Sequence, residues 1–97
     1  MSFRRLGEIM PQTLEGMGLL QRVQAMRVLR AWPRVAGRAA PELATGAQVV
    51  ELRDGVLSVR VPDGPLARQL ERAAAEIVRG LNAEVGERAV ERVVRVR

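Results

Sequence analysis

The chain has 97 residues, a formal net charge of +5 and 47% apolar residues. This length is typical of one domain, and the apolar share is typical of a folded protein. The chain contains neither cysteine nor histidine, which excludes disulfides, thiolate metal sites and the most common general base. No apolar run approaches the roughly 18 residues of a membrane span. No secretory signal opens the chain, so we expect a cytoplasmic protein.

Two N-terminal segments carry apolar residues at helical spacing, which predicts helices over residues 6–16 and from about residue 19 to Trp32. Pro33 should either kink the second helix or open a new turn, because proline disturbs a helix interior. We expect residues 1–18 to be an N-terminal helical segment and residues 19–97 to be one compact domain. The apolar side of the second helix is predicted to consist of Leu20, Val23, Met26, Ala31 and Trp32.

The next elements are a loop over residues 40–46 and a hairpin. Asp54-Gly55 stands between two alternating segments, residues 47–53 and 56–62. Such a pair predicts a hairpin with a type I′ turn, because both turn positions need a positive φ. Alternation along the strands predicts one buried face. The side chains expected on that face are Val50, Leu52, Leu57, Val59 and Val61.

A long helix is predicted from Pro65 to the residue before Gly86, followed by a last strand over residues 89–97 with Val90, Val94 and Val96 on its inner side. The order is α-α-β-β-α-β, which indicates a small α+β domain with a three-stranded sheet covered on one face by helices. This order resembles a KH-like module, although no Gly-x-x-Gly loop is present. The expected core consists of Trp32, Val35, Gly37, Leu57, Val59, Leu70, Ile77 and Leu81.

The positive charge is concentrated before the hairpin. No acidic residue lies between Gly16 and Pro41, whereas five arginines do. If the helix continues past Pro33, four of these arginines share one face and have no neutralising partner, as phosphate binding requires. A GC-rich coding sequence is the other explanation of why all basic residues are arginine, and the abundance of Ala, Val and Gly favours it. The candidate nucleic-acid-binding residues are Arg22, Arg27, Arg30, Arg34, Arg38, Arg53 and Arg60.

Catalytic chemistry has little support in the sequence. The hydroxyl side chains have no histidine or lysine to activate them. The single tryptophan, Trp32, is expected in the core rather than as a stacking platform, because a lone large ring in a small domain is usually needed for packing. We therefore expect no catalytic residue, no cofactor and no metal site.

Five motifs stand in a distinctive order and spacing along the chain. They are the opening 6–10, Trp32-x-x-Val35-x-Gly37, the hairpin 54–61, Gln69-Leu70 with Leu81-Asn82 and Gly86, and the ending 93–97. Together they resemble the motifs of one known family, the DciA-type loaders of the bacterial replicative helicase. The chain departs from the family at two places: Leu66 stands where the family often has a second tryptophan, and the segment 44–47 lacks the His and Pro of a His-Thr-x-Pro motif.

The resemblance implies a non-enzymatic adaptor with a KH-like domain that takes part in bacterial DNA replication. Its partners would be a replicative helicase of the DnaB type and single-stranded DNA, and it would be nucleoid-associated in the cytoplasm. One alternative is an RNA-binding or ribosome-associated KH-like factor. Another is a protein-interaction module whose arginines reflect composition only.

Overall fold

The computed structural model describes residues 18–97. The six elements confirm the small α+β class and have the order α-α-β-β-α-β. The first two helices of this order are residues 19–39 and 41–46, whereas the prediction counted residues 6–16 and 19–32. The helix predicted over residues 6–16 lies outside the described residues, so the boundary near residue 18 stays a prediction. The elements are α1 (Leu19–Ala39), α2 (Pro41–Gly46), β1 (Gln48–Arg53), β2 (Val56–Arg60), α3 (Pro65–Val85) and β3 (Arg92–Val96).

Helix α1 is one continuous helix through Pro33, so the predicted end near Trp32 is wrong. Proline has no N–H, which removes the intrahelical bond that the Leu29 carbonyl would otherwise accept. Trp32, Val35 and Ala36 are nevertheless all buried around this point. Their tertiary packing outweighs the lost hydrogen bond, and the helix continues to Ala39.

The buried side of α1 differs from the predicted one. Leu20, Val23 and Met26 are exposed rather than buried. Gln24 donates a hydrogen bond of 2.8 Å to Glu87, which lies just beyond the end of α3. The first turns of α1 therefore extend past the helix on which the rest of α1 packs. The side chains that α1 buries are Ala25, Val28, Ala31, Trp32, Val35 and Ala36.

Residues 41–46 form helix α2, where a loop was predicted. Pro41 occupies the first turn of this helix, where its missing N–H removes no intrahelical bond. Leu43 is fully buried. The short helix therefore gains stability from one deeply buried side chain. The proline and glycine that bound this segment in the sequence do not indicate that burial.

The hairpin turn has the predicted geometry, with φ of 50° at Asp54 and 80° at Gly55. Strand β2 lies in the centre of the sheet, antiparallel to β1 and parallel to β3. A bulge shifts the β1 register between Val49 and Glu51. Val49 and Leu52 are consequently the buried residues of β1, and the prediction of Val50 on the inner face is wrong.

Strand β3 begins at Arg92 rather than at residue 89. Val93 pairs with Leu57 and packs against the core. Because faces alternate along a strand, Val94 and Val96 lie on the outer face of the sheet, contrary to the prediction.

The segment before β3 is held by Asn82. Its side-chain oxygen accepts hydrogen bonds from the backbone N–H groups of Ala89 (3.0 Å) and Val90 (2.9 Å). Its amide nitrogen donates to the Val90 carbonyl at 2.9 Å. These bonds keep Val90 fully buried in an irregular segment, which explains why the strand starts later than predicted.

The core lies between the helices and the inner face of the sheet. Helix α3 buries most of the apolar residues that recur along it at helical spacing, and Leu66 and Ala74 are only half-buried. The buried members are Leu70, Ala73, Ile77, Leu81 and Val85. Helices α1 and α3 approach closely at Gly80, where an added Cβ would lie 2.7 Å from Val35 Cγ1. Gly37 is half-buried. The other seven residues expected in the core are all buried.

Candidate nucleic-acid interface

The continuous course of α1 aligns the arginine stripe, which consists of Arg27, Arg30, Arg34 and Arg38. At about 100° per residue, the four Cα positions fall within about 80° of one another around the helix axis. All four residues are exposed, and α1 contains no acidic residue. The stripe lies beside the buried side of α1, and its side chains are exposed to solvent.

Two members of the arginine stripe have an acidic partner. Glu84 of α3 accepts a hydrogen bond of 3.2 Å from Arg34 on one carboxylate oxygen and one of 3.2 Å from Arg38 on the other. The hydrogen bond from Arg34 and its charge, with a smaller contribution from Arg38, lower the pKa of Glu84. The expectation that the stripe has no neutralising partner is therefore wrong for Arg34 and Arg38.

Arg27 and Arg30 are the members of the stripe that remain available. Neither forms an ion pair or a side-chain hydrogen bond with any other residue in the range 18–97. Arg22 lies one turn before the stripe and is also exposed. A phosphate could contact these guanidinium groups without displacing a described carboxylate.

The two candidate arginines of the sheet lie apart from each other. Arg53 adjoins the hairpin turn, and its Nε is 3.8 Å from a carboxylate oxygen of Glu51. Arg60 lies at the opposite end of β2, where its Nε donates to the Arg97 carbonyl at 3.4 Å. The structure therefore does not combine the seven candidate arginines into one surface.

Trp32 lies beside a cleft of about 590 Å³ between α1, α2 and the end of the hairpin. The residue is 5% exposed, and its indole nitrogen is buried without a hydrogen-bond partner among the described residues. Arg60 also lines this cleft. Because the ring itself is covered, Trp32 offers no face on which a nucleotide base could stack.

Arg95 has a structural contact that the sequence did not indicate. Its Nε donates to the Val61 carbonyl at 3.2 Å, and its guanidinium also contacts Asp63. The side chain is only 25% exposed. Aspartate is common in turns, so nothing in the sequence marked Asp63 as the partner of Arg95, which is 32 positions away.

The chemistry available here is the electrostatic binding of an anion by exposed guanidinium groups. No group of three or more acidic, cysteine or histidine residues that could hold a metal ion occurs within the described part of the chain. No helix within residues 18–97 has the length and apolar composition that a membrane crossing needs.

Comparison with protein families gives one result. Residues 5–94 match the family model described as "Dna[CI] antecedent, DciA". No match was found among curated proteins or among solved structures. The family match spans nearly the whole chain and includes every helix of the described region.

Proposed function

The chain belongs to the DciA family, and on this basis we propose that it is a non-enzymatic adaptor that binds the replicative helicase and single-stranded DNA and promotes helicase loading. Membership of the family implies a helicase-loader-type role in replication. The finer parts of the proposal are the DnaB type of the helicase, the DNA contact, and the arginines that make it.

One observation carries the DNA-binding part of the proposal. Arg27 and Arg30 are exposed on the solvent side of a helix that contains no acidic residue. Releasing the counterions condensed on a nucleic acid favours binding to such groups. Contacts of this kind fix a strand by its phosphates and carry no base information. We therefore expect binding that depends on salt and hardly on base sequence.

The remaining arginines contribute less. Arg34 and Arg38 share Glu84, so a phosphate has to compete with that carboxylate for them. Arg53 and Arg60 lie at opposite ends of the hairpin, where a strand bound along α1 would reach at most one of them. Arg22 extends the basic side of α1 toward its N-terminus.

Loading follows from holding two partners at once. An adaptor that binds the helicase and the strand makes their encounter intramolecular and raises their effective concentration. The step needs no bond to be made or broken by the adaptor. This agrees with a chain that lacks lysine and histidine and has no Gly-x-x-x-x-Gly-Lys-Ser/Thr loop for a nucleoside triphosphate.

The test compares an Arg27→Ala/Arg30→Ala variant with an Arg68→Ala/Arg72→Ala control, which removes the same charge from exposed positions of α3. Binding to a fluorescent single-stranded oligonucleotide is measured by anisotropy over a salt series. Each lost phosphate contact should reduce the slope of log K against log[salt] by about 0.7. The α1 variant should therefore lose about 1.4, and the control should keep the slope of the unmodified chain.

Equal slopes for both variants would show that the α1 arginines do not contact the DNA.

A competition experiment adds a structured RNA to the complex with labelled DNA. Displacement by the RNA at lower concentration than by unlabelled single-stranded DNA would favour an RNA-binding role instead.

A further inference from the structure

The exposed large hydrophobic residues of the described chain all lie on the first turns of α1. Their exposed fractions are 76% for Leu19, 84% for Leu20, 42% for Val23 and 37% for Met26. At about 100° per residue, the four Cα positions fall within a sector of about 120°. These residues therefore form one contiguous surface, which we call the apolar patch.

A contiguous apolar surface on a folded chain usually marks an interaction site. The apolar patch is not the edge of the core, because the core side of α1 consists of Ala25, Val28 and the residues after them. The patch and the arginine stripe lie on the same side of the helix, since Arg30 projects within about 20° of Leu19 around the axis. One helix face is thus apolar for two turns and basic for the next three.

The charges around the patch specify what can cover it. Arg22 borders one side of the patch, and α1 carries no carboxylate. A complementary surface needs an apolar groove with acidic residues on its rim. We propose that the apolar patch docks into such an acidic-rimmed apolar groove on the replicative helicase, an inference that rests on the proposed function.

The same features argue against the other occupants. Nucleic acid offers little apolar surface to aliphatic side chains, and single-strand binders use aromatic platforms for its bases. A two-fold contact would pair the same surface of two copies of this chain, so Arg22 would find no carboxylate on α1 of the other copy. A partner protein with carboxylates satisfies both the apolar and the basic part of the surface.

This placement gives α1 two adjoining functions. The patch would hold the helicase while Arg27 and Arg30, which follow it along the same face, remain next to the contact. A DNA strand bound there would lie beside the docked helicase rather than on the opposite side of the adaptor. The geometry fits an adaptor that presents DNA to the protein it loads.

The test uses a Leu20→Ser/Val23→Ser variant and an Ala75→Ser/Ala83→Ser control, in which serine is introduced at exposed positions of α3. Binding to the purified replicative helicase of the same organism is measured by calorimetry. Loss of central apolar anchors should raise the dissociation constant about 30-fold or more. The control should bind like the unmodified chain, and the single-stranded DNA affinity of both variants should be unchanged.

The outcomes separate this inference from the proposed function. If the unmodified chain does not bind the helicase, the proposed function fails. If it binds and the Leu20→Ser/Val23→Ser variant binds equally well, the docking site is elsewhere and only this inference fails. A melting temperature well below that of the control would mean that the patch is covered within the chain. If sedimentation shows that the unmodified chain is a dimer and that the variant is not, a second copy covers the patch. Either result overturns the inference.

Discussion

Replacing Glu84 by glutamine should make the protein bind single-stranded DNA more tightly. Glu84 contacts both Arg34 and Arg38 at 3.2 Å, so a phosphate must compete with its carboxylate for them. Glutamine keeps the size of the side chain and removes the charge. Both guanidinium groups then become available on the same helix face as Arg27 and Arg30.

The size of the effect follows from the number of arginines released. Each new single-strand phosphate contact adds about 0.7 to the magnitude of the salt slope. Two contacts therefore add about 1.4 to the magnitude of the slope. When the salt concentration falls from 1 M to 0.1 M, the affinity of the variant therefore rises about 25-fold more than that of the unmodified chain. A single contact would give about fivefold by the same relation.

The assay is anisotropy of a labelled oligonucleotide over a salt series, with Glu76→Gln as the matched control. Glu76 lies on the same helix, is exposed, and forms no ion pair with the described residues. Both variants change the net charge equally, so a general charge effect would move them together. Equal slopes for Glu84→Gln and Glu76→Gln would refute the reasoning that Glu84 restrains the arginine stripe.

The lowered pKa of Glu84 adds a pH criterion to the same comparison. A carboxylate with a lowered folded-state pKa contributes stability above its unfolded pKa and loses that contribution as the pH falls through the folded value. The Glu84→Gln variant should therefore be less stable than the unmodified chain at neutral pH. The two should converge in acid, below the ordinary carboxyl range near 4.5.

Four further substitutions, in or beside the core, are measured by thermal or denaturant unfolding. Gly80→Ala should destabilise the fold by about 1–3 kcal/mol, because its Cβ would lie 2.7 Å from Val35 Cγ1. Gly37→Ala, where the nearest atom is 3.6 Å away, should be neutral or stabilising. Trp32→Ala should cost about 3–5 kcal/mol, and a normally stable variant would contradict its role in packing. Asn82→Ala should cost about 1–3 kcal/mol by leaving buried backbone groups unpaired, and an unchanged unfolding midpoint would contradict this.

The elements that local chemistry specifies were predictable. The Asp54-Gly55 turn needs positive φ at both positions, and both have it. Helix α3 begins at Pro65 and ends at Val85, and the next residue, Gly86, has a φ of 84° in the left-handed region. In each case a few neighbouring residues carry the information, so no knowledge of the rest of the chain is required.

The elements that depend on distant contacts were not predictable. Val50 was placed on the wrong face because alternation contains no sign of the bulge after Val49. The register of β3 depends on Asn82, which holds the segment before that strand. A periodic apolar pattern indicates that a face is buried, but it does not say where a strand starts.

The candidate site shows the same division. The alignment of arginines along α1 could be read from their spacing, given a continuous helix. The neutralisation of Arg34 could not be read from the sequence, because its partner Glu84 is 50 positions away. The exposure of Leu20 and Val23 was missed for a related reason. Their helical spacing shows that they share a face of α1, but it does not show that the core lies on another face, which buries Ala25 and Val28.

The central claim, that this chain brings the helicase and DNA together, is tested most directly by helicase occupancy on single-stranded DNA. Purified helicase from the same organism is mixed with a labelled single strand, and the DNA-bound helicase is measured with and without this protein. The account predicts that the protein increases occupancy in a saturable way and that the Leu20→Ser/Val23→Ser variant does not. Occupancy that is unchanged by the unmodified protein at low salt would contradict the account.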